Sequence, residues 1–278
     1  MRKVSVYIPC YNAREHIKNC LESVFAQRYP IDEVLVIDDG SDDDTAKIAA
    51  AYPVKIIRQE RNTGLAAARQ RAMREARNEF VASLDADCVA DQDWLATLVA
   101  RLDDETVAAA GGMLVETHTV RLADQWRSVH MKQQWGSALQ VNPPFLYGSN
   151  MIVKAAAVRQ AGGFDERFTT NYEDVDMSRR LRASGFSLLY VPQAQVYHHK
   201  QDTLASVMHR YWAWTFFDLP IPDTKKRLAH KIFRSLRLQL SLMRKDIRAG
   251  RGRLLAADML LFMHFASRDI AYFRERAS

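Results

Sequence analysis

The chain reads as an α/β protein: a mostly parallel, Rossmann-like central sheet flanked by helices, with a helical C-terminal extension. Three observations predict this. Short apolar strands alternate with helical segments over the first hundred residues, the rhythm of a parallel sheet covered on both faces. Polar clusters follow several of those strands directly, at the edge where such sheets bind ligands. From about Thr203 the strand signals stop and only helical periodicity remains.

In order, residues 4–8 form a strand. Asn12, with Glu15 three positions later, has the pattern of a helix-capping pair. Residues 34–37 are a second strand, and Asp38-Asp39-Gly40-Ser41 a turn in which Ser41 is placed to cap a helix over 44–51. Residues 54–57 give a third strand, 65–76 an alanine-rich helix and 80–84 a fourth strand. Residues 107–115 are strand-like, and 117–140 are polar and helix-like, with Trp126 and Trp135. After Pro143-Pro144 comes a strand at 151–153, a turn at Gly162-Gly163-Phe164-Asp165 and a helix over 175–183 that Gly185 ends. Residues 188–191 are a strand, and Val196-Tyr197-His198-His199 closes this part. We expect residues 1–200 to form one domain and 201–278 a basic amphipathic extension.

Charge divides the chain the same way. Residues 200–278 carry 16 Lys/Arg against 7 Asp/Glu, whereas residues 1–199 carry 23 against 26. A near-neutral body with a basic tail suggests an anionic partner for the tail. Cys10, Cys20 and Cys88 are too few and scattered for a disulfide framework or a zinc site, and read as reduced thiols of a cytoplasmic protein. No apolar run approaches the roughly 18 residues of a spanning helix, and no signal peptide is expected, because Met1-Arg2-Lys3 leads straight into a strand.

The sharpest local signal is Leu84-Asp85-Ala86-Asp87, an apolar strand ending in two aspartates one residue apart. Alternate residues of a strand share a face, so Asp85 and Asp87 leave on the same side. Their mutual repulsion is relieved by a cation. A hard divalent ion such as Mg²⁺ or Mn²⁺ takes oxygen ligands and shares them with a diphosphate.

Taken together, Pro9-x-Tyr11-Asn12, Asp38-Asp39-Gly40-Ser41, Asn62-x-Gly64-x-x-x-Ala68-Arg69, Leu84-Asp85-Ala86-Asp87, Gly162-Gly163-Phe164-Asp165, Glu173-Asp174 and Pro192-x-Ala194-x-Val196-x-His198 resemble a family 2 inverting glycosyltransferase with the GT-A fold. The resemblance covers about residues 4–200 and leaves the tail unassigned. It implies a nucleotide-diphosphate sugar donor of the UDP, dTDP or GDP type. Pro9, Tyr11, Asn12, Asp38 and Asp39 then hold base and ribose, Arg69 lies near base and phosphates, and Asp85 and Ala86 touch the donor. Asp87 is the metal ligand, with Asp85 and His198 beside it, and His199 is the competitor for the last place. Asp174 is the candidate base that deprotonates the acceptor hydroxyl, with Glu173 next to it. One position departs from the pattern: Gln70 stands where the family usually has Asn after the arginine.

The Gln-x-x-Arg-Trp signature of processive synthases is absent. The expected activity is therefore transfer of one sugar, or few, to a saccharide or lipid-linked acceptor. Trp126, Trp135, Tyr147 and Asn150 lie where relatives build the acceptor side. Two other classes compete. A catalytically inactive nucleotide-sugar-binding scaffold is disfavoured by the full set of acidic positions. A nucleotidyltransferase is disfavoured because Pro9-Cys10-Tyr11-Asn12 supplies no glycine-rich basic phosphate loop. The tail has apolar residues at 228, 232, 233, 236, 240, 243 and 247 with Arg and Lys on the other side. We expect it to contact an anionic membrane peripherally or to form a homo-oligomer interface, and we expect no nucleic acid partner.

Overall fold

The computed structural model describes residues 1–169, 171–217 and 222–277, in two units: residues 1–117 with 133–200, and residues 118–132 with 201–278. In the first, nine strands form one sheet: β1 (Val4–Cys10), β2 (Glu33–Asp38), β3 (Lys55–Arg58), β4 (Phe80–Leu84), β5 (Cys88–Ala90), β6 (Val107–Glu116), β7 (Gln140–Val141), β8 (Asn150–Lys154) and β9 (Ser187–His198). The order is β3-β2-β1-β4-β8-β6-β9-β5, with β7 beside β9. β1 to β4 are parallel neighbours, whereas β8 runs antiparallel to both β4 and β6. The βαβ rhythm therefore governs only the first half of the sheet.

Helices α1 (Ile17–Phe25), α2 (Thr45–Ala49), α3 (Leu65–Glu75), α4 (Trp94–Val99), α6 (Ala155–Gln160) and α7 (Glu173–Ala183) belong to this unit. Alternation in the strands feeds two cores. Val4, Val6 and Ile8 of β1 join Val34 and Val36, Leu21 of α1 and Trp94 of α4 on one face. Tyr7, Leu35 and Ile37 join Ala68 and Ala72 of α3 and Leu181 of α7 on the other. The strand expected at 188–191 runs on through 198 as one element, β9. Pro192 sits inside β9 where its register against β6 shifts, between Gly112↔Val191 and Met113↔Gln195. A bulge of this kind accommodates a residue with no N–H to give.

The second unit comprises α5 (Leu122–His130), α8 (Leu204–Phe216), α9 (Lys225–Arg248) and α10 (Leu255–Ala277). Residues 118–132, which fall before the boundary expected at 200, group here because Ala123, Trp126 and Met131 share one core with Tyr211, Trp212 and Phe216 of α8 and Leu261 and Phe265 of α10. Thr203 and Ser206 form a capping box on α8, and Thr224 caps α9 by accepting from Arg227 N. Polar pairs run through this interior. Trp126 Nε1 donates to Asp258 (2.8 Å), Trp212 Nε1 to Asp269 (2.9 Å), and Arg127 to Asp202. Among the described residues no helix is long and apolar enough to cross a membrane.

Candidate active site at the strand ends

The turn after β2 is built by its own side chains. Asp38 is fully buried and its Oδ1 accepts from Ser41 N (3.0 Å). Gly40 has φ +75°, and a Cβ there would lie 2.6 Å from the Arg61 carbonyl carbon, so the turn needs glycine. Neither expected cap forms. The α1 and α2 starts carry no side-chain cap. Instead Asn12 N donates to Ser41 Oγ (3.0 Å) and Asp42 N to Asn12 Oδ1 (3.0 Å). Two adjacent loops with unpaired backbone groups satisfy each other, which local pattern alone does not reveal.

Asp39 orders the loop before α3. Its Oδ1 accepts from Thr63 N (2.8 Å) and Gln59 Nε2 (2.7 Å), and its Oδ2 from Gly64 N (2.8 Å). Pro9 is buried in β1, whereas Tyr11 is 49% exposed, leaving its ring face open for stacking.

Arg69, on the buried side of α3, is the centre of the site. It is 1% exposed. Nη2 donates to Asp85 Oδ1 (3.0 Å), Nε to Glu173 Oε1 (3.1 Å), and Nη1 to Ser83 Oγ (2.6 Å) and Gly148 O (2.7 Å). Burial alone would lower its pKa, but Asp85, Tyr7 and Glu173 hold it well above the usual value. The guanidinium thus binds protein groups on every side and joins the strand-end aspartate to the start of α7. Gln70, the departure from the family pattern, accepts from Phe164 N (2.8 Å), tying the Gly162–Asp165 turn to α3.

The two aspartates face different partners. Asp85 meets Arg69, while Asp87 Oδ2 lies 3.3 Å from His198 Nε2. Register explains the second contact: β5 pairs Cys88 with His198, and β6 sets Glu116 beside His198 on the other edge of β9. Glu116 Oε2 lies 2.9 Å from His198 Nδ1. His198 therefore has its two ring nitrogens assigned to two carboxylates. Burial works against its charged form, but Asp87 and Glu116 outweigh it and raise its pKa to about 9. His199 approaches Asp87 through its backbone, N to Asp87 O at 2.9 Å. Asp87 oxygen and His198 nitrogen are a donor pair suited to a divalent cation, and a carboxylate behind a ligating imidazole is the usual arrangement for orienting it. Glu116 had no motif to flag it; only the β6–β9 register brings it in.

Glu173 and Asp174 differ in setting. Glu173 is 2% exposed and paired to Arg69; burial, then the Asp174 charge, push its pKa up to about 7. Asp174 is half-buried, and burial raises its pKa as well. Its Oδ2 accepts from Gly148 N (3.0 Å), so one residue, Gly148, accepts from Arg69 through its carbonyl and donates to Asp174 through its N–H. A Cβ on Gly148 would lie 2.7 Å from the Arg69 guanidinium carbon. Gly148, Ser83 and Tyr7 were not singled out by sequence, because nothing in spacing distinguishes them from ordinary strand and loop residues.

The four acceptor-side residues separate. Trp135 stacks on Tyr147 (5.7 Å between centroids) and meets Phe145 edge-on (5.1 Å). Asn150 is instead 1% exposed and locked, accepting from Trp94 Nε1 (2.7 Å) and donating to Ala194 O (3.0 Å). Trp126 belongs to the helical unit's core. That unit also brings His130, Asp246 and Asp258 together, with ligand atoms within 4.8 Å of one another, although Arg251 and His130 already serve Asp246 (2.9 Å each).

The model of glycosyl transferase family 2 matches residues 5–162. The glycosyltransferase AglE of Haloferax volcanii is 29% identical over 199 residues, which are 67% of this chain and 64% of that protein. A pre-mycofactocin glycosyltransferase of Mycobacterium tuberculosis is 29% identical over 214 residues, 73% of this chain and 44% of that protein. The chain thus spans less than two thirds of the length of either relative. Among solved structures, the mannosyltransferase PcManGT from Pyrobaculum calidifontis, in complex with GDP-Man and Mn²⁺, aligns with a TM-score of 0.62 at 23% identity, covering 99% of this chain and 86% of that one. S. aureus TarS 1-349 in complex with UDP-GlcNAc gives 0.61 at 16% identity, covering 99% and 92%. The fold is that of the GT-A glycosyltransferases, and the chain belongs to glycosyl transferase family 2.

Proposed function

We propose that this chain transfers one sugar, or few, from a nucleotide-diphosphate sugar to a hydroxyl of a saccharide or lipid-linked acceptor, with inversion. The observation that carries the reading is the Asp85–Arg69–Gly148–Asp174 connection. It sets a half-buried carboxylate beside the acidic strand end where a donor diphosphate belongs. Relatives and structural neighbours with donor complexes support the donor class.

On this reading Tyr11 stacks on the base. Pro9, Asn12, Asp38 and Asp39 shape the walls around it through the bonds described above. Asp85 and Ala86 line the donor, and Asp87 with His198 holds a divalent cation, Mn²⁺ or Mg²⁺. That cation supplies charge neutralisation for the departing diphosphate. Asp174 takes the proton of the acceptor hydroxyl as its oxygen bonds to the anomeric carbon, while the bond to the diphosphate oxygen breaks on the opposite face. Arg69 and Gly148 fix the Asp174 carboxylate in place, and burial keeps its affinity for a proton above that of a solvated aspartate. Glu173, buried against Arg69, positions that arginine. Buried Cys10, Cys20 and Cys88 suit a reducing cytoplasm.

Calorimetric titration of UDP, GDP and dTDP with and without Mn²⁺ tests the donor side. At least one diphosphate should bind more tightly with the metal, and Asp87→Ala should remove the difference. Equal binding under all conditions overturns the assignment.

A further inference from the structure

Helix α9 turns polar residues inward. Its buried residues are Lys231, Ser235, Gln239, Leu242 and Asp246. Four residues of the apolar stripe face outward: Phe233 is 57% exposed and Ile247 60%, with Leu236 and Leu240 exposed between them, while Leu228, Ile232 and Met243 are half-buried. On α10, which packs against α9, Met259, Leu260 and Met263 are exposed as well. Seven of the thirteen exposed large apolar residues among those described lie on these two helices. Isolated exposed apolar side chains are ordinary, but a concentration of them on two packed helices marks an interaction surface.

Charge says what the surface meets. Residues 225–274 hold thirteen Lys and Arg and three acids, Asp246, Asp258 and Asp269. All three acids are fully buried, so among the described residues the exposed side-chain carboxylate of these two helices is Glu275, in the last turn of α10. At 100° per residue, Lys226, Arg237, Arg244 and Arg248 form a row directly beside Phe233, Leu236, Leu240 and Ile247, and all four are exposed. Not every cation or aromatic of the tail takes part: Lys231 is 4% exposed and cannot reach headgroups, and Tyr211, Trp212 and Phe216 lie in the core.

We propose that this ridge and its basic row seat the helical unit on an anionic lipid bilayer. An apolar ridge flanked by cations is what an interfacial helix presents, its apolar face below the headgroups and its cations among them. A second copy fits less well. A two-fold contact through this face sets the same cations against themselves.

The test is flotation of the full chain with vesicles of phosphatidylcholine alone and with one-third phosphatidylglycerol. Binding should be at least tenfold stronger on the anionic vesicles and weaken as salt rises. Leu236→Asp with Leu240→Asp should lower it tenfold or more. So should Arg237→Ser with Arg244→Ser, while Arg274→Ser should change it little. Circular dichroism of each variant separates lost binding from lost fold. Equal binding to neutral vesicles overturns the proposal. So does absence of binding, with or without a concentration-dependent dimer that the leucine variants dissolve; the dimer would assign the ridge to a second copy.

Discussion

Replacing Arg69 by methionine removes a side chain that joins β4, α7 and the Gly148 loop. Methionine keeps much of the volume and none of the five N–H donors. Glu173, 2% exposed, loses the cation bonded to it at 3.1 Å, and Asp85 loses its 3.0 Å partner. Breaking a buried ion pair from one side costs about 3–5 kcal/mol, because the remaining charge is left in a poorly solvating site. The loss must depend on pH. Glu173 has a folded pKa of about 7 against an ordinary 4.5, so the folded state holds its proton longer than the unfolded chain. Stability therefore falls as pH rises from 4.5 to 7. Without Arg69 the folded value rises further, and the decline continues above pH 7. Near pH 5 Glu173 is protonated in the fold with or without the arginine, so its charge adds nothing to the loss there. Urea unfolding of both proteins at pH 5 and pH 8, followed by fluorescence, measures this. A loss below about 1 kcal/mol, the size of a surface pair, or one equal at both pH values, refutes the description of Arg69 as a buried hub.

Asp174→Asn should lower turnover by about 10²–10⁴ while leaving donor affinity near normal, measured by steady-state kinetics with calorimetry. Normal turnover would place the base elsewhere. Glu116→Gln, one step behind His198, should weaken Mn²⁺ binding by about 10–100-fold with little change in donor binding when the metal is saturating. Gly148→Ala drives a methyl group to 2.7 Å from the Arg69 guanidinium. It should cost about 1–3 kcal/mol in the same urea assay and lower turnover, and the cost should shrink in an Arg69→Met background.

Much of this was legible beforehand, and for identifiable reasons. Strands 4–8 and 80–84 are apolar runs bounded by polar turns, and periodicity finds such runs. Asp85-x-Asp87 shows itself because two adjacent carboxylates need a reason. Features that depend on strand register did not show. β8 enters antiparallel between β4 and β6, and β9 brings Glu116 and Asp87 to opposite sides of one imidazole; neither has a local signature. The Asn12 and Ser41 caps failed for a related reason. Capping assumes the nearest backbone is the partner, and here a neighbouring loop competes and wins. In α9 the stripe was legible, but the polar residues that turn inward, Lys231, Gln239 and Asp246, were not, since a pattern fixes which residues share a face and not what the opposite face packs on.

The polar interior of the helical unit explains how that direction is kept. A helix with Phe233, Leu236, Leu240 and Ile247 along one side has an obvious wrong answer available, which is to rotate and hide them. Asp246 between His130 and Arg251, and Lys231 on the Phe216 carbonyl (2.8 Å), act as keys cut for a single orientation. Rotation would carry Lys231 and Asp246 out to solvent and leave the groups they serve, the Phe216 carbonyl and His130, without those partners in the interior, a cost that opposes hiding the apolar side chains. Substituting these keys with leucine should therefore do more than shift stability. It should free α9 to turn over, giving a helical protein of ordinary content whose sticky side has vanished inward.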